Sequence, residues 1–422
     1  MSPLRKICLH LKNDGLRKTF RLYSAVIYKK LYDKIISVFK RLFIKLPLKN
    51  SVVFECESDM DDNPRAFYEY LLEIGWNRKN KLVWLVNDAV YLKNNYREKN
   101  VVFIDKNNYG LFNCLIREYY LCTSKYFIFS HFFWFEKKRK DQIVVNVWHG
   151  TPIKGLARET LPKLYERFDV LLVPTEYTKE KYVKFLSREE DSSHIYDKIL
   201  YCGAPRLDML KRENRNEILS ELFEYENRDV VIICMPTYKQ SVSRTDSRTK
   251  DTFSIDVVDD QGQFLELNEF LKKNKVHLII KPHPLQIKDG LYIKDASNIH
   301  YIDNRILLEK KIIFYELLGY CDALLTDVSS VYYDYLLLDR PIGILSRNFD
   351  EYGRGFIDLN ALDDIAGEHI NSLSDLLLFI SEVKQGIDPY LQKRQEISRR
   401  FNYIPKESNS KDLADWLFNR GK

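Results

Sequence analysis

A chain of 422 residues exceeds what one hydrophobic core usually organises, so two domains of roughly 150 to 200 residues are expected. With 45% hydrophobic and 30% charged residues, the composition is that of a packed globular protein and excludes a disordered or fibrous chain. The net charge of +6 is uneven: residues 1–50 hold thirteen Lys and Arg against Asp14 and Asp33, or +11, which leaves 53 basic and 58 acidic residues, or −5, in the remainder. The seven cysteines (Cys8, Cys56, Cys114, Cys122, Cys202, Cys234, Cys321) lie far apart, form no C-x-x-C pair and are odd in number, so reduced thiols are expected rather than a zinc site or disulfide framework. The start has no apolar core followed by a small-residue cleavage site, and no stretch reaches the ~18 apolar residues of a membrane span, so a chain neither secreted nor spanning is expected.

In chain order, Leu16 to Leu46 comes first. Phe20, Tyr23, Ile27, Leu31, Ile35, Val38, Leu42 and Leu46 recur three or four apart as one apolar stripe, with Lys29, Lys30, Lys34, Arg41 and Lys45 largely off it. This basic amphipathic helix can lie in the headgroup region of an anionic membrane, each nearby cation adding about 1 kcal/mol. The other reading is a helix packed on the first domain with its basic face solvated. A nucleic-acid arm is disfavoured, because no nucleic-acid module follows.

Pro47 ends the helix, and SVVFECES reads as a first buried strand. Strands follow at 81–87, 100–105, 126–130, 142–149, 169–175 and 198–203, with helices between them, notably from Pro64. This alternation predicts βαβ units and a parallel sheet. A charged, mostly helical connection spans about 210–229. A second series then places strands at 230–237, 276–284, 299–303, 322–327 and 341–345. The polar run from Ser241 to Phe264 reads as a loop at a cleft edge. The expected organisation is α/β: an N-terminal membrane-surface helix (1–48), a Rossmann-like acceptor lobe (49–215), a Rossmann-like donor lobe (226–390), and a C-terminal helix (391–422) packing back on the first lobe.

Five strand exits carry residues suited to chemistry. In LLTDVSSVYYDYLLLDRPI a strand ends at Thr326 and Asp327, and a helix is expected to open at Val328 to Ser330, where free N–H groups and the hydroxyls of Ser329 and Ser330 suit an anion. Ordinary N-capping is the alternative. VVNVWHGTPIKG brings a strand into His149, Gly150 and Thr151, a histidine placed for proton transfer beside a glycine that lets a ligand approach, or a structural histidine. LIIKPHPL sets Lys281 and His283 at another exit. YCGAPRLD offers Arg206 to a phosphate, or to an ion pair with Asp208. CMPTYK offers Thr237 and Lys239. Each signal alone is weak; five at strand exits point to one cleft.

Together these residues resemble the CDP-glycerol:poly(glycerophosphate) glycerophosphotransferase family of teichoic acid and capsule polymerases and primases. ESDMDDNPRAFYEYLL is similar to its acceptor-side opening segment, and WHGTPIK to its signature WHGTPLK. GAPRLD stands where GYPRND is usual, PTYK where PTWR is usual, and KPHP where a basic residue and HP are usual. TDVSSVYYDYLLLDRP is similar to TDYSSVMFDYLLLDRP, and YGRGFIDL to the closing Y…RGFYFDY. The resemblance implies a GT-B fold, CDP-glycerol or CDP-ribitol as donor, release of CMP, and a lipid-linked glycan or polyol-phosphate acceptor at the cytoplasmic membrane face. Carried over by position, it makes His149 the base on the acceptor hydroxyl and His283 the stabiliser of the leaving phosphate. It sets Gly150, Arg206, Thr237, Lys239, Lys281, Thr326, Ser329, Ser330 and Asp334 around the donor, and Asn63 and Thr151 on the acceptor side. Lys239 for Arg and Ala204 for Tyr are departures that bear on donor identity. No cofactor and no metal is required by the residues, although Mg²⁺ bridging a pyrophosphate is compatible with them, and no nucleic acid is expected. Two competing readings are a GT-B glycosyltransferase using a nucleotide sugar, which would want a Glu-based sugar motif not seen here, and a non-catalytic membrane-associated scaffold, which would have no need of His149, His283 and the serine pair.

Overall fold

The structure is a computed structural model, and it describes residues 29–131, 138–153, 164–186, 193–236, 255–282, 296–327, 329–347 and 363–419. Strands β1 (Lys49–Glu55), β2 (Leu82–Val86), β3 (Val101–Asp105), β4 (Ser124–Phe129), β5 (Ile143–Asn146), β6 (Val170–Val173) and β7 (Ile199–Tyr201) form a seven-stranded sheet in the order β3-β2-β1-β4-β5-β6-β7. Strands β8 (Val230–Met235), β9 (Val276–Ile280), β10 (Ile299–Tyr301), β11 (Ala323–Thr326), β12 (Ile342–Leu345) and β13 (Glu368–Ile370) form a six-stranded sheet in the order β10-β9-β8-β11-β12-β13. All neighbours in the second sheet pair in parallel. Short, β-branched, continuously apolar strands such as VVIICM and VHLII are what a sheet covered on both faces requires. Alternate residues serve alternate faces: Val231, Ile233, Ile279 and Leu324 pack with Leu317 and Leu318, while Ile232, Cys234, Leu278 and Leu325 pack with Phe264, Leu267 and Phe379.

In each sheet the order reverses once, between β1 and β4 and between β8 and β11. Ligands of open α/β sheets bind beyond the carboxyl ends of strands at such reversals. The two doubly wound sheets are those the alternating pattern predicts. The strand β13 was not anticipated, because EHI is too short to carry a pattern.

The chain divides into two compact units, residues 1–54, 77–127 and 134–143, and residues 55–76, 128–133 and 144–422. In the first, Phe54 stacks on Trp84 at 5.0 Å, and the helix at residues 29–43 is held at its end by Phe43 edge-on to Tyr119 (5.4 Å) and by Arg139 Nη1 donating to the Leu46 carbonyl (2.6 Å). Leu31, Val38, Leu42 and Leu46 of its stripe are 57%, 46%, 52% and 39% exposed, so the described part of the stripe is not packed away. Phe20, Tyr23 and Ile27 lie outside the described residues. No described helix is long and apolar enough to cross a membrane.

In the second unit the connection expected to be mostly helical is helical only over Arg215–Leu222, and the expected helix after β11 runs only from Val331 to Tyr335 before tightening into a 3₁₀ turn at Leu336–Leu338. The expected C-terminal helix is two helices, Leu391–Phe401 and Asn409–Phe418. Phe401 stacks on Tyr333 at 4.0 Å, Phe418 stacks on Trp76 at 5.1 Å, and Asp208 accepts from the backbone N–H groups of Asn409 and Ser410, both at 2.8 Å. The six described cysteines are free and buried.

Candidate active site

The site builds outward from the helix Asp62–Glu73, which follows β1 and is capped by Asp61. Asn63, fully buried, donates both amide hydrogens, to the Val147 carbonyl (3.1 Å) and the Trp148 carbonyl (2.7 Å), and accepts from the Arg206 N–H (3.0 Å). It thus ties the exit of β5 to the exit of β7. The β5 exit needs the tie: Trp148 has φ of 46°, a conformation costly for a bulky side chain, and Gly150 has φ of 145°. Expected on the acceptor side, Asn63 spends its polar atoms on this brace.

The brace holds His149 half-buried, with Nδ1 3.2 Å from the Ser130 carbonyl. That contact makes Nδ1 the donor of a neutral ring and leaves Nε2 as acceptor, with no hydrogen-bond partner among the described residues. Burial lowers the pKa of His149 to about 3; the facing His131 adds to the depression, and Asp62 and the Ser130 carbonyl oppose it. A histidine held neutral with one nitrogen open has the form of a general base.

Arg206 is buried beside it. Nη1 donates to Asp62 (2.7 Å), Nη2 donates to Asp334 (2.8 Å), and the guanidinium lies over the Tyr315 ring at 4.9 Å, while Tyr315 donates its hydroxyl to Asp334 at 2.6 Å. The pair with Asp208 weighed from sequence is not the one formed: Asp208 instead accepts from the N–H groups of Asn409 and Ser410 at the start of the last helix. Arg206 and Asp334, expected at the donor, are therefore partners of one another, and burial with two carboxylates is the arrangement that makes a desolvated guanidinium tolerable.

Gly150 brings the two sets of strand exits together. A Cβ built on it would stand 2.4 Å from Ser330 Oγ and 3.4 Å from Arg206 Nη2, so only glycine fits between the β5 loop and the serine pair after β11. Ser329 and Ser330 are half-buried there, and the helix they precede begins at Val331 rather than Val328. Thr326 donates its hydroxyl to the Met235 carbonyl (2.9 Å), which commits it to joining β11 and β8. Thr151 is buried and meets the Tyr182 hydroxyl. Lys281 donates to Asn304 Oδ1 (2.6 Å) and lies 4.6 Å over the Phe314 ring, and Asn304 donates on to Asp61 and Ser58, both at 2.9 Å. Burial lowers the pKa of Lys281, against the attraction of Asp61. His283, Thr237 and Lys239 lie outside the described residues. Among the described residues no group of three His, Cys, Asp or Glu is placed to hold a metal ion.

Sequence reasoning missed Glu57, Asp62, His131 and Tyr315. His131 stands just past the strand expected at 126–130, in a run that carries no motif, and the partners of Arg206 are 144 and 128 residues away, so no local spacing announces them.

The chain is similar, at 23% identity over 92% of its length and 98% of theirs, to the teichoic acid glycerol-phosphate transferase of Staphylococcus aureus (strain NCTC 8325 / PS 47). It is 26% identical, over 75% of its length and 78% of the relative, to the teichoic acid poly(glycerol phosphate) polymerase of Bacillus spizizenii (strain ATCC 23059 / NRRL B-14472 / W23). The fold matches a solved structure of the wall teichoic acid polymerase TagF soaked with CDPG, with a TM-score of 0.70 at 21% identity over 96% of each chain. Residues 38–419 match CDP-Glycerol:Poly(glycerophosphate) glycerophosphotransferase, and the chain belongs to that family.

Proposed function

We propose that the protein transfers glycerol phosphate from CDP-glycerol to a hydroxyl of a lipid-linked glycan or polyol-phosphate acceptor, releasing CMP, in the synthesis of a teichoic acid or capsule-like polymer. The observation that carries this reading is the family match across residues 38–419. The geometry supports it: the loop bearing His149 touches the serine pair through Gly150.

The mechanism follows from the groups present. His149 Nε2 takes the proton of the acceptor hydroxyl as it attacks the donor's β-phosphorus. The bond to the leaving phosphate breaks and CMP departs with its electrons, so the transition state asks for positioning and for positive or N–H groups at the transferring oxygens. Gly150, Ser329 and Ser330 line the pyrophosphate, with Lys281, Thr237 and Lys239 supplying further donors and His283 meeting the leaving phosphate. Thr151 stands toward the acceptor. Arg206, Asp334 and Asn63 act by holding the loops in register.

The acceptor reading implies work at an anionic membrane surface. Support comes from the exposed Leu31, Val38, Leu42 and Leu46 beside Lys34, Arg41 and Lys45. Work at the cytoplasmic membrane face as a peripheral protein is part of this proposal.

Incubating the protein with CDP-glycerol, CDP-ribitol or a UDP-sugar and a lipid-linked disaccharide, with mass spectrometry of products, tests the donor. CMP release with a mass gain of glycerol phosphate is expected; UDP release from a sugar donor alone would replace this reading with a glycosyltransferase. Repeating the assay in EDTA and after added Mg²⁺ tests whether a cation accompanies the pyrophosphate. Ser329→Ala with Ser330→Ala is expected to weaken CDP-glycerol and CDP alike, by about 1.5 to 3 kcal/mol for each lost bond to charge. Unchanged calorimetric affinity would move the pyrophosphate elsewhere.

A further inference from the structure

A second histidine, paired with a carboxylate, stands against the face of His149. His131 follows β4, and its ring stacks on that of His149 with centroids 4.2 Å apart and planes 6° from parallel. Nε2 of His131 is 3.2 Å from Glu57 Oε2, and Nδ1 is 3.1 Å from Ser130 Oγ. Ser130 serves both rings, giving its carbonyl to His149 and its hydroxyl to His131. Glu57 follows β1 and His131 follows β4, so these two flank the reversal of the first sheet, the place where ligands of such sheets sit.

We infer that His131 and Glu57 are positioning residues for the transfer: Glu57 orients His131, and His131 holds the plane of the His149 ring and discourages a proton on it. The inference rests on His149 being the base. Stacking fixes a ring that otherwise turns about its side-chain bonds, and offset aromatic pairs are stabilising in themselves. Two imidazoles face to face do not readily share two protons, because like charges at that distance oppose one another. The groups that face His149 are His131, from the exit of β4, with Asp62 from the helix after β1 and Arg206 from the segment after β7. Asp62 favours a proton on His149, but it is bonded to Arg206, which opposes one. His131 is faced by Glu57 and His149. Glu57 is 74% exposed, so solvent screens its pull, and its part is to orient the ring more than to stabilise charge. Because His131 opposes a proton on His149, His149 stays neutral and the base stays competent further into the acid range.

The test compares kcat/KM against pH, read as CMP release from CDP-glycerol with a short-chain analogue of the lipid-linked disaccharide, for the wild type, His131→Phe, His131→Ala and His149→Ala. His131→Phe keeps a stacked ring without the ionisable group, so its acid limb is expected at higher pH than that of the wild type. His131→Ala loses the stack as well, and its kcat is expected a further three- to tenfold below that of the Phe variant, about the worth of one aromatic pair. Glu57→Gln is expected to move the acid limb the same way by less. An unchanged limb in His131→Phe, together with equal kcat in the Phe and Ala variants, overturns the inference. If His131→Phe does not fold, His131→Gln carries the same comparison of limbs. Failure of the two readings is distinguishable: turnover retained in His149→Ala removes the base itself, whereas turnover lost there with wild-type profiles at position 131 removes only the role of His131.

Discussion

Among the described residues two histidine pairs stand out, and they differ in what their ring nitrogens are committed to. His131 and His149 stack at the carboxyl ends of β4 and β5, and β4 flanks the reversal of the first sheet. His277 and His300 lie on β9 and β10 of the second sheet, with His277 near the amino end of its strand and ring nitrogens 3.0 Å apart. His277 reaches Asp229 with its other nitrogen at 3.3 Å, and Phe223 stacks on both rings, at 4.7 and 4.1 Å. Both nitrogens of His277 are thereby used, whereas His149 keeps Nε2 for something else. Burial is common to both pairs; the proposal of His149 as base rests on a neutral ring with one nitrogen uncommitted at a strand exit.

The largest effect expected from this contrast is on turnover. His149→Ala should lower kcat by about 10² to 10⁴, the range for a general base, while the thermal midpoint changes little. A loss under tenfold in a folded variant would put His149 in the same class as His277. Next in size is the brace. Asn63→Ala should reduce kcat by about 10²-fold through displacement of the β5 loop, the cost expected for an ångström of misplacement, with CDP binding reduced less. Equal loss of turnover and CDP affinity would mean that Asn63 touches ligand.

His277→Ala should do the reverse of His149→Ala, costing about 1 to 3 kcal/mol of stability by leaving Asp229 and His300 without their partner, with turnover per folded molecule retained. Denaturant melts alongside activity decide it. The smallest effect concerns pH. Burial lowers the pKa of His300 to about 4, helped by His277, and burial also lowers that of His277 against the pull of Asp229. A histidine depressed in the fold binds its proton more readily when unfolded, so the stability of the neutral pair is fully present above about 6.5 and is lost as pH falls from there toward about 4. His300→Phe should flatten that decline in calorimetric scans; an unaltered slope would assign the acid sensitivity to other groups.

Much of this was legible in the sequence, because the informative signals are local. VVIICM and VHLII announce buried parallel strands, and WHGTP and TDVSS announce their exits. The pairing of Arg206 was not legible: Asp208 two residues away is the partner that spacing suggests, but burial beneath Gly150 selects Asp62 and Asp334 from distant elements. His131 was illegible for a different reason: it follows the strand expected at 126–130, and the FFWF after it belongs to no motif. The helix after β11 was overestimated because YYDYLLLD looks helical throughout, whereas Leu336–Leu338 tighten into a 3₁₀ turn and Asp339 turns left-handed at φ of 52°.

The last two helices carry a consequence for how the protein is made. Asp208 holds Asn409 and Ser410 across some 200 positions of chain, and Trp76 waits for Phe418. These contacts join residues of the first half of this sequence to residues made some 200 positions or more later. Until then the Asp208 carboxylate lacks the Asn409 and Ser410 N–H groups and Trp76 lacks the Phe418 ring, so a nascent chain can build both sheets yet not close this surface. Such late, distant contacts slow folding and lengthen the exposure of apolar surface to other chains. Synthesis halted before residue 409 should yield a protein that occupies chaperones rather than one that is merely shorter.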